Sequence, residues 1–185
     1  MVRAATVALV LALAPAPLLA DEIADALTAA QEAYADGDIQ YALDELDFAR
    51  AKLLERKTDA LGAWLPEAPE GWTREVDTDM NAGLAMMGGG VGAAASYAGP
   101  DGDSYKVTLM ADNPMVASMS AMIAGASAMG MKVERIGRQR FAVQDGQMMA
   151  LVGNRILVQI EGADAEAMRA VAERIDYDAL ATFGQ

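Results

Sequence analysis

The apolar residues of this 185-residue chain change their spacing near residue 72. Between Asp21 and Leu61 they recur every three or four positions, which is typical of amphipathic helices. From Trp72 onward short runs alternate apolar and polar residues, as half-buried strands do. The stretch 62–71 between them has no period and is interrupted by two prolines and two glycines. The sequence therefore predicts an α+β protein, with a helical hairpin over 21–61, a linker over 62–71 and a sheet domain over 72–185.

The first segment contains two periodic runs separated by a short turn. Ile23, Leu27, Ala30 and Tyr34 mark the first helix. The apolar positions of the second helix are Ile39, Ala42, Leu43, Leu46, Ala49, Leu53 and Leu54. Gly37 suits the left-handed residue that follows a helix, and Asp38 is a favourable N-cap for the next one. A turn this short predicts that the two helices pack antiparallel.

The turn and second helix contain the motif Tyr34-Ala-Asp-Gly-Asp-Ile-Gln-Tyr-Ala-Leu43, followed by Leu46 and Ala49. This motif resembles the turn and second helix of a tetratricopeptide repeat. It covers one repeat, about residues 24–54, whereas a binding groove in that family needs about three stacked repeats. No second copy follows at a period of 34 residues, so the family's peptide-binding residues are not carried over. The alternative is that any tight hairpin of two helices selects these residues.

The second segment predicts seven short strands and two helices. The strands are expected at 72–76, 93–97, 104–110, 131–136, 139–143, 147–152 and 156–161. Asn113 and Pro114 start a helix that runs to about Met129, and Asp164 caps a last helix. Tight turns such as Asp145-Gly146 join the last four strands, which predicts an antiparallel meander. The two helices are expected on one face of the sheet.

The N-terminus is typical of a secretory signal peptide. Arg3 precedes about ten apolar residues, and Pro15 and Pro17 lead to the small Ala20 before Asp21. The apolar run is shorter than the about 20 residues that a membrane-spanning helix needs. The sequence therefore predicts a signal peptide over 1–20 and a periplasmic or secreted protein without an integral membrane span.

Charge and composition exclude several classes of function. Cleavage after Ala20 leaves 13 basic residues against 27 acidic ones, a net charge of −14. A chain this acidic repels phosphate backbones, so no nucleic-acid partner is expected. The chain has no His and no Cys, which removes Ser-His-Asp and Cys-His catalysis, thiolate zinc sites and redox dithiols. The sequence predicts no catalytic residue and no cofactor.

Methionine is enriched in the second segment, and its thioether side chain can contribute to protein or metal binding. Met115, Met119 and Met122 step by four and three along the predicted helix, and Met86 and Met87 precede a glycine-rich run. These five residues are candidates for an adaptable protein-binding surface, because flexible Met side chains recur at such interfaces. Two alternatives remain open: Met115, Met119 and Met122 hold Cu(I), or they form the buried face of the helix.

Two hypotheses about function follow. The first is a non-catalytic interaction or accessory protein with a protein partner, including peripheral contact with a membrane complex. The second is a periplasmic protein that binds a small ligand or Cu(I) through its methionines and the space under the helix that begins at Pro114. The basic stretch Lys132, Arg135, Arg138 and Arg140 stands out in this acidic chain, and an acidic partner would suit it.

Overall fold

The computed structural model describes residues 21–77, 80–86, 88–162 and 164–184. The predicted signal peptide, 1–20, lies outside the described residues. The chain divides into two compact units after Ala49. This division falls within the second helix, twelve residues before the predicted boundary at Leu61, because the second half of that helix supplies Leu61 to the core of the second unit.

The first unit contains helix α1 (Glu22–Asp36) and the first half of α2 (Ile39–Gly62). Gly37 adopts the predicted left-handed conformation, with φ of 82°, and its N–H caps the last turn of α1. The Asp38 carboxylate accepts a hydrogen bond from the Tyr41 N–H at 3.1 Å, as expected of an N-cap. The helical hairpin is therefore confirmed, and its resemblance to a tetratricopeptide repeat stays a prediction.

Small residues form the contact between the two helices. Ala26, Ala30 and Ala33 are buried on α1, and Ala42 and Ala49 are buried on α2. Ile23 and Ala26 of α1 and Ala49 of α2 form the small apolar cluster of this unit.

The second unit is built on a seven-stranded antiparallel sheet. Its elements are β1 (Thr73–Asp77), α3 (Asn81–Met86), β2 (Val91–Ala98), β3 (Ser104–Ala111), α4 (Pro114–Ala124), β4 (Lys132–Ile136), β5 (Gln139–Gln144), β6 (Gln147–Val152), β7 (Ile156–Gly162), α5 (Ala165–Ala172) and α6 (Tyr177–Leu180). The strand order is β1-β2-β3-β7-β6-β5-β4. The predicted fold class and the meander of the last four strands are confirmed. The sequence did not predict the short helices α3 and α6.

One face of the sheet carries the main core. Buried residues of six strands, β2 to β7, form this core with α5, α6 and the end of α2. Tyr97 on β2 and Phe141 on β5 are among its largest side chains. Met168, Val171 and Ala172 are the buried residues of α5. Apolar burial on this scale is the dominant stabilising contribution to folding.

Helix α4 lies on the opposite face. Its buried residue Val116 packs with Met110, Met149 and Leu157, which belong to the strand positions that alternate with the main core. The prediction that both helices lie on one face is therefore wrong in this detail, because α4 covers one face and α5 the other. Helical periodicity marks which residues are buried, but it does not identify the sheet face that buries them.

The predicted linker is pinned to the sheet. Leu65 is buried in the main core, and the Tyr97 hydroxyl donates a hydrogen bond to the Pro66 carbonyl at 2.5 Å. Trp72 packs on Tyr105 with ring centroids 5.2 Å apart, and Tyr105 stacks on Tyr97 at 4.6 Å. Among the described residues, no helix has both the length and the apolar character needed to cross a membrane.

Candidate functional site

The sheet face under α4 changes from apolar to polar along the strands. Beneath α4, Met110 on β3 and Leu157 on β7 lie opposite each other and belong to the apolar cluster. The next pair on the same face, two residues away on each strand, is Thr108 and Gln159. One further step gives Lys106 and Glu161. Because residues two apart share a face, α4 covers the apolar end of this face and leaves polar side chains at the other end.

An open cavity lies where α4 meets this polar end. Its volume is about 510 Å³, and Met119, Met122 and Met149 supply thioether groups to its wall. The other residues that line it are Gln144, Asp145, Gly146, Gln147 and Glu161. The Gln147 side chain donates a hydrogen bond to the Glu161 carboxylate at 2.9 Å, which fixes part of the polar rim. We refer to this space as the methionine cavity.

The structure brings together only some of the methionines singled out in the sequence. Met119 and Met122 are half-buried and pack against the apolar cluster under α4. Met115 is 39% exposed and does not line the cavity. Met149 takes the third position in the wall, although helical spacing did not single it out. The alternation of residues along β6 could have predicted this position, because it turns Met149 to the opposite face of the sheet from Met148.

Met86 lies at the end of α3 and is 91% exposed, the most exposed large apolar side chain among the described residues. Met87 lies outside the described residues. The glycine-rich sequence after it predicts a mobile loop, but the part of that loop in the structure makes defined contacts. The Gly89 N–H donates to the Leu84 carbonyl at 2.8 Å, and the Gly89 carbonyl accepts a hydrogen bond from the buried Asn113 side chain.

The helical hairpin carries a second set of exposed apolar side chains. Leu27 and Tyr34 on α1 are 45% and 71% exposed. Ile39, Leu43 and Leu46 on α2 are 52%, 52% and 47% exposed. We call these five residues the hairpin face. Helical periodicity predicts that such positions pack within the hairpin, but the alanines make that contact and leave the larger side chains in solvent.

In the basic stretch 132–140, Lys132 forms an ion pair, whereas Arg135 and Arg140 are exposed. Lys132 contacts Glu134 at 2.6 Å, and Arg169 pairs with the same carboxylate. The hydrogen bond from Lys132, together with the charge of Arg169, holds the pKa of Glu134 below its usual range. Arg135 and Arg140 are exposed and lie opposite each other on β4 and β5. Like charges in directly opposed positions disfavour strand pairing.

Among the described residues, the pKa shifts of the titratable groups come from burial and from local ion pairs. Burial raises the pKa of Tyr97, Tyr105 and Tyr177, so these phenols stay protonated near neutral pH. Within the described residues no three carboxylates come together in a group that would hold a metal ion.

Comparison with known proteins gives no family assignment: no protein-family model matches the chain, and no curated protein or solved structure matches it significantly.

Proposed function

We propose that this chain is an exported, non-catalytic interaction protein that binds a protein partner. The observation that carries the proposal is the hairpin face, where five large apolar side chains of one helical unit are each between 45% and 71% exposed. Single exposed apolar residues are common, but a group of them on one small unit is typical of a surface that another molecule covers.

The energetics favour a protein partner. Complete burial of one Leu or Ile side chain contributes about 1.5–3 kcal/mol, and binding energy concentrates in a few apolar anchors. Leu27, Ile39, Leu43 and Leu46 are already about half-buried, so covering each of them contributes about half of that value. Together they offset part of the cost of association, which is about 4–15 kcal/mol. On the second unit, Met86 is a separate exposed apolar side chain, and it does not line the methionine cavity.

Site-specific photocrosslinking tests the interaction. A photoreactive phenylalanine derivative replaces Leu43, Met86 or, as the control, Asp101 in an exposed turn. We expect discrete adducts of one size in envelope extracts from Leu43, from Met86 or from both, and none from Asp101. Equal smears from all three positions would contradict the proposal, because they would report random collisions.

Export is tested separately. The proposal requires removal of residues 1–20, so we expect N-terminal sequencing of the protein from its native host to begin at Asp21. Retention of Met1 on protein recovered only with carbonate-washed membranes would contradict export by a cleaved signal.

A second candidate function is the binding of a small molecule in the methionine cavity. The cavity volume of about 510 Å³ and its three thioethers favour a compact ligand with both apolar and polar groups. Native mass spectrometry of freshly purified protein tests it. We expect a bound mass that is lost in Met122→Trp, which fills the cavity, and retained in Met129→Trp, which alters an exposed turn. A ligand-free spectrum for the unaltered protein would contradict this candidate.

A further inference from the structure

The five residues of the hairpin face form two stripes, one on each helix. Ile39, Leu43 and Leu46 step by four and three, so they share one stripe of α2. Leu27 and Tyr34 are two turns apart and form a stripe on α1.

Both stripes lie on the same side of the hairpin. Successive residues of a helix are rotated by about 100°. On each helix, the exposed stripe is rotated by about 80° from the buried alanines, in the direction in which the chain turns. Because α1 and α2 run antiparallel, these two rotations point to the same side. Tyr41 and Phe48 project from the opposite side of α2 and are 48% and 46% exposed. The hairpin therefore has one side with two apolar stripes and another with one.

The charge around this surface has a single sign. Residues 21–49 contain nine Asp and Glu and no Lys or Arg. Asp44 and Asp47 directly follow Leu43 and Leu46, so their carboxylates lie along the outer border of the hairpin face, about 100° around the helix. Asp36 and Asp38 lie at the turn, next to Tyr34 and Ile39 in the sequence. An apolar surface with acidic borders suits a ligand that is apolar on one side and basic at its edges.

We propose that the hairpin face binds a basic amphipathic helix of a partner protein, a step that rests on the interaction function proposed above. The partner's apolar residues, spaced three and four apart, contact Leu43, Leu46 and Leu27, while its Lys or Arg residues flank that stripe and approach Asp44 and Asp47. Binding of an amphipathic helix through its apolar face is a recurrent mode of peptide recognition. Complementary charge increases the association rate and selects against acidic competitors.

Charge also decides against a second copy of this chain as the occupant. Two hairpins placed face to face would bring together two segments that each carry nine acidic groups and no basic group. Like charges disfavour that association. A basic helix meets no such repulsion, and its binding weakens as salt screens the attraction.

The experiment measures peptide binding to the chain that begins at Asp21. The probe is a 14-residue labelled Leu/Lys peptide whose leucines repeat every three or four positions. Two further peptides serve as comparisons: a scrambled peptide of the same composition, and a Leu/Glu peptide with the same leucine spacing. By fluorescence anisotropy in 0.15 M NaCl, we expect the amphipathic Leu/Lys peptide to bind at least ten-fold more tightly than either.

Matched variants locate the site. Leu43→Glu and Phe48→Glu add the same charge to opposite sides of α2, and far-UV circular dichroism verifies that each keeps its helices. We expect Leu43→Glu to weaken peptide binding at least ten-fold and Phe48→Glu to change it less than two-fold. If Leu43→Glu unfolds the hairpin, Leu43→Gln replaces it with the same expectation. Equal effects of the two positions, or equal binding of the scrambled peptide, would overturn the proposal.

Three further outcomes distinguish a failure of the proposed basic helix from a failure of the proposed interaction function. Sedimentation that shows a dimer, dissociated by Leu43→Glu, would overturn the basic helix in favour of a second copy. If none of the peptides binds but the photocrosslinked adduct at Leu43 persists in extracts, the interaction function stands and the basic helix is wrong. If both the adduct and peptide binding are missing, neither proposal stands.

Discussion

The side chain of Asn113 is hydrogen-bonded to the backbone of Gly89, 24 residues earlier in the chain. Its amide nitrogen donates to the Gly89 carbonyl, while its oxygen accepts from the Met115 N–H at 2.8 Å. One buried side chain thus caps α4 and holds the glycine-rich loop that follows α3. This link places the start of α4, and with it the methionines of the cavity wall, relative to β2.

The link explains why glycine stands at position 90. Gly90 has a φ of +100°, and a Cβ there would lie 2.8 Å from the Ala111 carbonyl oxygen and 2.9 Å from the Asn113 Cβ. Gly89 also has a positive φ, +89°, but the nearest atom to its Cβ would be 4.0 Å away.

We therefore expect Gly90→Ala to destabilise the second unit more than Gly89→Ala. Both substitutions incur about 1–2 kcal/mol of left-handed strain, and Gly90→Ala adds about 1–3 kcal/mol from the clash with backbone. Urea unfolding followed by tryptophan fluorescence measures the difference. Equal losses at the two positions would mean that the loop moves freely away from Asn113.

How much the sequence could predict differs between the fold and the site. The strands, the Gly37 turn and the Asn113 cap followed from local patterns, because alternation, left-handed glycine and N-cap chemistry depend on neighbouring residues. The face chosen by α4 depends on which strand positions meet Val116, a contact set by the whole sheet. Met149 joins Met119 in the cavity for the same reason. The exposure of Leu43 likewise depends on which residues of α1 and α2 meet in the hairpin, where Ala42 and Ala49 are buried instead.

A second prediction concerns Asp112, which joins three segments of the second unit. Its carboxylate contacts the Lys57 ammonium at 2.8 Å and the Arg155 guanidinium at 2.9 Å. Its backbone has a positive φ, 55°, which Asn tolerates well. We expect Asp112→Asn to lower the free energy of unfolding by about 1 kcal/mol, because these partly exposed ion pairs are partly screened. Asp145→Asn is the matched control, since Asp145 also has a positive φ, 49°, but lies in an exposed turn.

The contribution of Asp112 depends on pH. Partial burial raises the pKa of Asp112, but the hydrogen bonds and charges of Lys57 and Arg155 outweigh it, so the pKa lies below its ordinary value. A carboxylate whose pKa is lowered on folding contributes stability above its unfolded pKa, about 3.9. That contribution is lost as the pH falls through the folded pKa. The stabilities of the unaltered protein and Asp112→Asn should therefore differ at pH 7 and converge below about pH 4, whereas a constant difference would contradict the ion-pair explanation.

A third prediction concerns the hairpin turn. Gly37 has a φ of +82°. Beyond its two neighbours in the chain, no atom lies within 4 Å of the position that a Cβ would occupy, so a substitution there acts through backbone strain. We expect Gly37→Val to destabilise the hairpin by about 1–2 kcal/mol, because a β-branched residue is strained in the left-handed region. Gly37→Asn should cost less, since Asn enters that region more readily. Helicity measured during thermal unfolding compares them, and an unchanged transition for Gly37→Val would contradict the left-handed turn.

The last prediction concerns copper and the methionine cavity. Met119, Met122 and Met149 line its wall, whereas Met115 lies outside it, so the trio singled out by helical spacing does not converge there. Thioethers are soft ligands that suit Cu(I), but the chain has no His or Cys to strengthen such a site. We expect anaerobic titration against a competing Cu(I) chelator to show weak binding only, unchanged between the unaltered protein and Met119→Leu. A tight one-to-one complex that is lost in Met119→Leu, and retained in the control Met129→Leu, would show instead that the cavity is a copper site.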